Sequence, residues 1–228
     1  MLSKLRNYFQ NKKAIKDFEK YWQDLLNRAD ANDRGAMFEI AMLYESGVGA
    51  AKDIDKAIEY YSKAAELGLV DAQRIMAAWF EKGVYLEQNL VKALMWYRKC
   101  AESNNFDDAM KFACLCARPD IDYEIAKDYL PKAIEILKNG VEIGDLNAIC
   151  YYGNLMVRGL TKDGNPEKGY QLLKQAAFKG NSESQIFIGD ACAAGIGTKR
   201  DLKEALRWYE VAQKNSHPIA AERIERLK

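Results

Sequence analysis

Histidine is almost missing from this chain: one residue in 228, which leaves scarcely an imidazole for acid–base catalysis or for a mixed zinc site. An excess of charge of one sign is missing too. Thirty-four Lys and Arg face 33 Asp and Glu, a net charge of +1, so no global field recruits nucleic acid or anionic lipid. The five cysteines (Cys100, Cys114, Cys116, Cys150, Cys192) are odd in number and follow no paired spacing, so reduced thiols and no disulfides are expected. No stretch approaches the length of a membrane span, and Met1 to Lys13 never gathers the apolar run of a signal peptide, so a cytoplasmic protein is expected. Hydrophobic residues, by contrast, make up 49% of the chain, ample for a continuous core.

Self-similarity is the informative feature, with a period of about 36 residues. The stretch from Ala36, AMFEIAMLYESGVGAAKDIDKAIEYYSKAAELGLVD, is followed at Ala72 by a second copy that keeps Phe80, Gly83, Lys92, Ala93, Trp96, Tyr97, Lys99 and Ala101 in register. Ser184 opens the clearest late copy: Gly189, Gly195, Gly197, Asp201, Ala205, Trp208, Tyr209 and Ala212 fall on Ala41, Gly47, Gly49, Asp53, Ala57, Tyr60, Tyr61 and Ala64. A weaker copy starts at Ala148 and keeps Gly153, Gly159, Ala176, Ala177 and Gly180. The copy from Ala109 to Asn147 lacks the glycine turn and carries extra residues around Arg118 to Leu130, so an irregularity is expected there. The expected division is an N-terminal capping segment over 1–35, repeats over 36–71, 72–108, 109–147, 148–183 and 184–219, and a C-terminal capping helix over 220–228.

Each copy reads as two amphipathic helices. Ala36, Ile40, Ala41 and Tyr44 form one apolar stripe, and Ala57, Tyr60, Tyr61, Ala64 and Ala65 a second. Gly47 and Gly49, or Gly195 and Gly197, supply positive φ where the first helix stops, and Asp53 or Asp201 is placed to cap the second. The N-terminal Phe18, Trp22, Leu25, Leu26 and Ala29 mimic a second helix and form a cap; Ala220, Ile224 and Leu227 do the same at the other end. Neither helix of a pair can bury its stripe alone. Stacked pairs can, which predicts an all-α, right-handed α-solenoid of about five helix-turn-helix repeats with capping helices.

The run Ala-x3-Ile/Leu-Gly/Ala, Tyr, Gly-x-Gly, then Lys-Ala-x2-Trp/Tyr-Tyr-x-Lys-Ala-Ala-x2-Gly, nearly complete in Ala36 to Gly68, resembles the Sel-one-like repeat, a relative of the tetratricopeptide repeat. The resemblance implies a protein-binding adaptor or regulator and brings no catalytic residues with it. Some secreted, cysteine-rich relatives are described as β-lactamase-like, but no serine here begins an S-x-x-K motif, and Ala109 stands where a partner for Cys100 would be expected. His217 precedes Pro218 without a nucleophile nearby and reads as solvated or capping. Cys114 and Cys116, two residues apart on a helix, project to different faces and read as apolar fillers rather than a metal pair. Asp107 with Asp108 and Asp53 with Asp55 sit at turns where caps belong. No enzyme activity, cofactor or metal is expected.

In the tetratricopeptide architecture the first helices line the inner curve. That geometry, carried over through the resemblance, predicts a concave partner-binding groove of Phe38, Met42 and Glu45; Arg74, Ala78 and Glu81; Lys111, Leu115 and Arg118; Asn154 and Arg158; Ile186 and Asp190. Its basic centre at Arg74, Lys111 and Arg118, beside Phe38 and Met42, suits a protein or peptide with an acidic segment and an apolar anchor. The alternative partner is a toxin or effector, neutralised by an immunity-type inhibitor. Residues 1–28 carry seven bases against three acids; there Leu2, Leu5 and Phe9 between Lys4, Arg6, Lys12 and Lys13 form a weak amphipathic candidate for lipid or RNA, for which a capping helix is the favoured explanation.

Overall fold

A computed structural model describes residues 12–103, 105–162 and 164–227. The amphipathic candidate at Leu2, Leu5 and Phe9 lies outside these residues. All regular structure among them is helical, and the chain divides into two compact units, Met1–Asp108 and Ala109–Lys228.

The first unit holds α1 (Lys12–Asp30), α2 (Arg34–Ser46), α3 (Ile54–Glu66), α4 (Val70–Lys82), α5 (Leu90–Ala101) and the first turn of α6 (Phe106–Ala117). Helix α2 packs on α3 and α4 on α5, while α1 covers α2 and α3 joins the two pairs. Ala36, Ala41, Ala57, Ala64 and Ala65 are fully buried, so small side chains let the helices approach, and Leu25, Ile40 and Tyr61 fill the remaining space. Each such buried aliphatic side chain stabilises by about 1.5–3 kcal/mol. Polar side chains set the helix starts: Asp33 accepts from the amides of Gly35 and Ala36, Asp53 from Lys56 and Asn89 from Lys92. Gly47 ends α2 in the left-handed region at φ 70°. Gly49, at φ 78°, has the Phe18 ring of α1 against its Cα, so any side chain there would collide with the cap. Tyr85 stands at the matching place in the next copy and adopts φ 61° regardless, its ring set edge-on against Trp79 with centroids 5.0 Å apart.

Three of the second helices carry two adjacent aromatics, and there Tyr61, Tyr97 and Tyr209 are buried, with Trp208 buried beside Tyr209. Tyr60 and Trp96, counted with the buried stripe or its equivalents, are instead half-buried, each with a lysine over its face: Lys63 at 5.4 Å and Lys99 at 4.4 Å from the ring centroids.

The second unit takes in the rest of α6, then α7 (Tyr123–Ala126), α8 (Leu130–Glu142), α9 (Leu146–Val157), α10 (Pro166–Phe178), α11 (Ser182–Ala194), α12 (Leu202–Lys214) and α13 (Ala220–Glu225). Helix α9 packs on α8, α10 and α11, α11 on α12, and α12 on the short α13. The irregularity expected between Arg118 and Leu130 is the extra single turn α7, capped by Asp122 onto the amide of Glu124. Gly153 of α9 faces Gly169 of α10, the latter at the place of Ala57, Ala93 and Ala205 in other copies; a Cβ on Gly169 would lie 2.7 Å from the Gly153 carbonyl, so these two backbones meet more closely than alanine allows. His217 is not solvated. Its side chain is 7% exposed and its Nε2 lies 2.9 Å from the Glu183 carboxylate at the start of α11, because the turn after α12 folds back over that helix end.

Candidate partner-facing residues on the first helices

The predicted groove residues fall on the first helix of each pair or, for Arg118 and Arg158, directly after its last residue, but most of their polar groups are already engaged within their own unit. In the first unit Tyr61 donates to Glu45 at 2.8 Å and Tyr97 to Glu81 at 2.9 Å, the same bond repeated one copy on. Burial, together with the neighbouring carboxylate, pushes both phenols above their ordinary range. Arg74 is the central polar residue of this unit. It grips Asp108 and also reaches Asp71 at 2.6 Å, so its charge is spent inside the repeat rather than offered to a partner, and the bond to Asp108 holds its guanidinium protonated well beyond the usual range. Asp108, expected at an inter-helix turn as a cap, is buried in the first turn of α6.

Phe38 and Met42 remain as the apolar face of α2. Met42 is 42% exposed. Phe38 is half-buried and begins a line of edge-on rings: Phe38 to Tyr61 at 5.3 Å, Tyr61 to Trp79 at 5.3 Å, then Tyr85. Ala78 lies half-buried on α4.

In the second unit three expectations need correcting. Leu115, Asn154 and Ile186 are buried, at 2%, 6% and 0% exposure, and do not line an open surface. The physical reason is that first helices are covered on more than one side: every residue of α9 from Tyr152 to Val157 is buried. Lys111 is exposed. Arg118 forms a two-pronged bond with Asp120, at 2.9 and 2.6 Å, which holds that carboxyl below the usual range. Arg158 donates to the Ala117 carbonyl at 3.2 Å, capping the C-terminal end of α6 beside Arg118. Asp190 accepts from Tyr209 at 2.7 Å and lies 3.0 Å from Nε of Arg223, tying α13 to the last pair.

The residues missed from sequence are therefore the internal partners Tyr61, Tyr97, Tyr209, Asp108, Asp120 and Arg223. One signal was present: a carboxylate sixteen residues before a tyrosine, at Glu45/Tyr61 and again at Glu81/Tyr97.

Among the described residues no group of three or more His, Cys, Asp or Glu could hold a metal, and no helix is long and apolar enough to cross a membrane. Cys100, Cys116, Cys150 and Cys192 are buried and Cys114 is half-buried. Burial pushes the thiols of Cys114 and Cys116 up to about 12.

The Sel1 repeat pattern matches residues 35–69, 70–105, 146–181 and 182–215. A Sel1 repeat protein of known structure from Oxalobacter formigenes is 29% identical, with a TM-score of 0.57 over 96% of this chain and 86% of its own. A second, from Klebsiella pneumoniae subsp. pneumoniae, is 18% identical with a TM-score of 0.43, over 90% of this chain and 98% of its own. The DAP3-binding cell death enhancer 1 of Mus musculus is 28% identical over 96 residues, 42% of this chain and only 18% of the mouse protein. Helix-pair repeats of this kind generally mediate protein–protein interaction. With the repeat pattern matched over more than half of its length, the chain belongs to the Sel1 repeat family.

Proposed function

We propose that this chain is a non-catalytic adaptor or regulator that binds another protein through the exposed parts of its first helices, with its repeats divided at 36–71, 72–108, 109–147, 148–183 and 184–219 between end caps. The observation that carries the reading is the apolar face of α2. There an exposed Met42 sits beside Phe38, and the Phe38 ring is held by Tyr61, which is itself held by Trp79 and by its bond to Glu45. A flexible thioether that adapts to a partner's shape, next to a pre-ordered aromatic ring with little side-chain entropy left to lose on binding, is the composition of an interface anchor. A mouse relative whose name records binding of another protein supports the same class of function. A non-enzymatic role is favoured because Glu45, Glu81 and Asp190, the carboxylates of the predicted groove, each accept a hydrogen bond from a tyrosine. A cytoplasmic setting is favoured by thiols that pack as small apolar fillers.

The test is affinity capture from cells that naturally make the protein, comparing wild type with Met42→Glu and with Lys111→Glu. Both side chains are exposed, so both variants should melt close to the wild type. Loss of a stoichiometric partner in either variant is the expected result; a partner retained by the double variant sinks the first-helix assignment.

A further inference from the structure

The first two copies differ systematically on the exposed side of their second helices. In α3 the ammonium of Lys56 lies over the Tyr44 ring and that of Lys63 over the Tyr60 ring, and each also has a carboxylate, Asp53 at 3.7 Å and Glu59 at 2.6 Å. Thirty-six residues on, in α5, the lysines and the rings recur: Lys92 lies over Phe80, 5.1 Å from its centroid, and Lys99 over Trp96. The acids do not recur. Asn89 stands at the place of Asp53 and Met95 at that of Glu59, while Val91 replaces a third acid, Asp55. Asn89 still caps the helix through the amide of Lys92 but brings no charge. Among the described residues neither Lys92 nor Lys99 has a carboxylate partner. Between them Met95 is 49% exposed, and Val91, one turn earlier, is 39% exposed. One stripe of α5, entirely within the first unit, thus carries two cations about two helical turns or ~10 Å apart, with an exposed thioether between them.

From this replacement of acids by neutral side chains we infer a second docking surface, on the exposed stripe of α5, whose occupant is a segment of a partner protein with carboxylates on either side of an apolar side chain. The carboxylates meet Lys92 and Lys99, in the role that Asp53 and Glu59 fill toward Lys56 and Lys63 in the first copy, and the apolar side chain rests on Met95 and Val91. Each ammonium is already seated on a ring, so less side-chain freedom remains to be lost when a carboxylate arrives. A nucleic acid fits this stripe less well, because base stacking needs an open ring face and the lysines lie on the faces of Phe80 and Trp96. The two unpaired cations give the surface its preference for acidic sequence and its sensitivity to salt.

The experiment is selection of a displayed library of random short peptides on the full chain, followed by fluorescence polarisation of the enriched peptides with wild type and three variants. Enriched peptides should combine carboxylates with apolar side chains and bind more weakly as salt is raised. Asn89→Asp/Met95→Glu restores the acids of the first copy, keeps a capping side chain, and should weaken these peptides about tenfold or more, as like charges set across an interface do. Lys92→Gln/Lys99→Gln removes the cations, leaves Met95 in place, and should weaken them about threefold or more. Met42→Glu should bind them as wild type does, which separates this surface from that of the proposed function. Lys92, Met95 and Lys99 are exposed, and the glutamine pair carries the test if melting shows that the acidic pair misfolds. Enrichment only of peptides without carboxylates, equal binding to the glutamine variant, no enrichment, or binding of a mixed-sequence single-stranded RNA in place of peptides overturns the inference.

Discussion

The guanidinium of Arg74 closes on the carboxylate of Asp108 with two parallel bonds, Nε to Oδ1 at 2.8 Å and Nη2 to Oδ2 at 2.6 Å, and Asp108 is 1% exposed. Removing the arginine takes away the two-pronged ionic partner of a buried carboxylate. Arg74→Ala should destabilise by about 3 kcal/mol, and Arg74→Glu by more, in chemical denaturation. Arg74→Met with Asp108→Leu should recover most of the loss, since an apolar pair of similar volume replaces a buried ion pair at little cost. An Arg74→Ala midpoint equal to wild type would show that the pair contributes nothing.

The repeated phenol–carboxylate bonds predict a loss of stability at high pH. Tyr61, Tyr97 and Tyr209 are all held protonated above their ordinary value of 10.0, first by burial and then by their acidic neighbours. Below pH 10 both folded and unfolded phenols are neutral and the contribution is complete. As pH rises further, the unfolded chain releases these protons while the folded one keeps them, so stability falls until the folded phenols ionise too. Tyr61→Phe and Tyr97→Phe should each lose about 1 kcal/mol at neutral pH and flatten this alkaline slope. Thermal melts between neutral and strongly alkaline pH would check both, and a slope unchanged in the double variant would contradict the assignment.

Thiol chemistry should be slow in the native state. Cys114 and Cys116 are pushed from 9.0 to about 12 by burial, and Cys150 and Cys192 are raised for the same first reason. A thiol-specific chromogenic disulfide at mildly alkaline pH should label few cysteines until denaturant is added, and all five once it is. Rapid native labelling of Cys114 or Cys116 would mean that their helix opens locally.

Trp79 and Trp96 should separate in a truncation series. Trp79 is 7% exposed and bracketed edge-on by Tyr61 and Tyr85, so Trp79→Ala should cost about 3–5 kcal/mol. Trp96, half-buried with Lys99 on its face, should cost about half as much. Equal losses would place Trp96 in the core after all.

Ala57, Ala205, Asp53, Asp201, Gly47 and Gly195 were legible because each does a local job, close packing, capping or stopping, within one or two turns of its own backbone. Arg74 was not. Its partner lies 34 residues away, and the pairing becomes visible only when one repeat is stacked on the next. Leu115, Asn154 and Ile186 failed for a related reason: an apolar stripe identifies one buried face of a helix, whereas these helices are covered on further sides by neighbours that the stripe does not record. His217 belongs with them, since its partner Glu183 precedes it by a full repeat.

Tyr209 shows how such wiring can change. In the last copy the position of Glu45 is held by Ala193, and the ring of Tyr209 lies instead over Gly189, where a Cβ would come within 2.2 Å of it, to reach Asp190 one helical turn earlier. One phenol thus has two possible addresses for its proton, and a glycine decides which is open. A lineage of repeats can therefore exchange the acceptor by an ordinary sequence of single substitutions, gaining the second carboxylate before losing the first, without leaving the hydroxyl unsatisfied or moving the backbone that carries it.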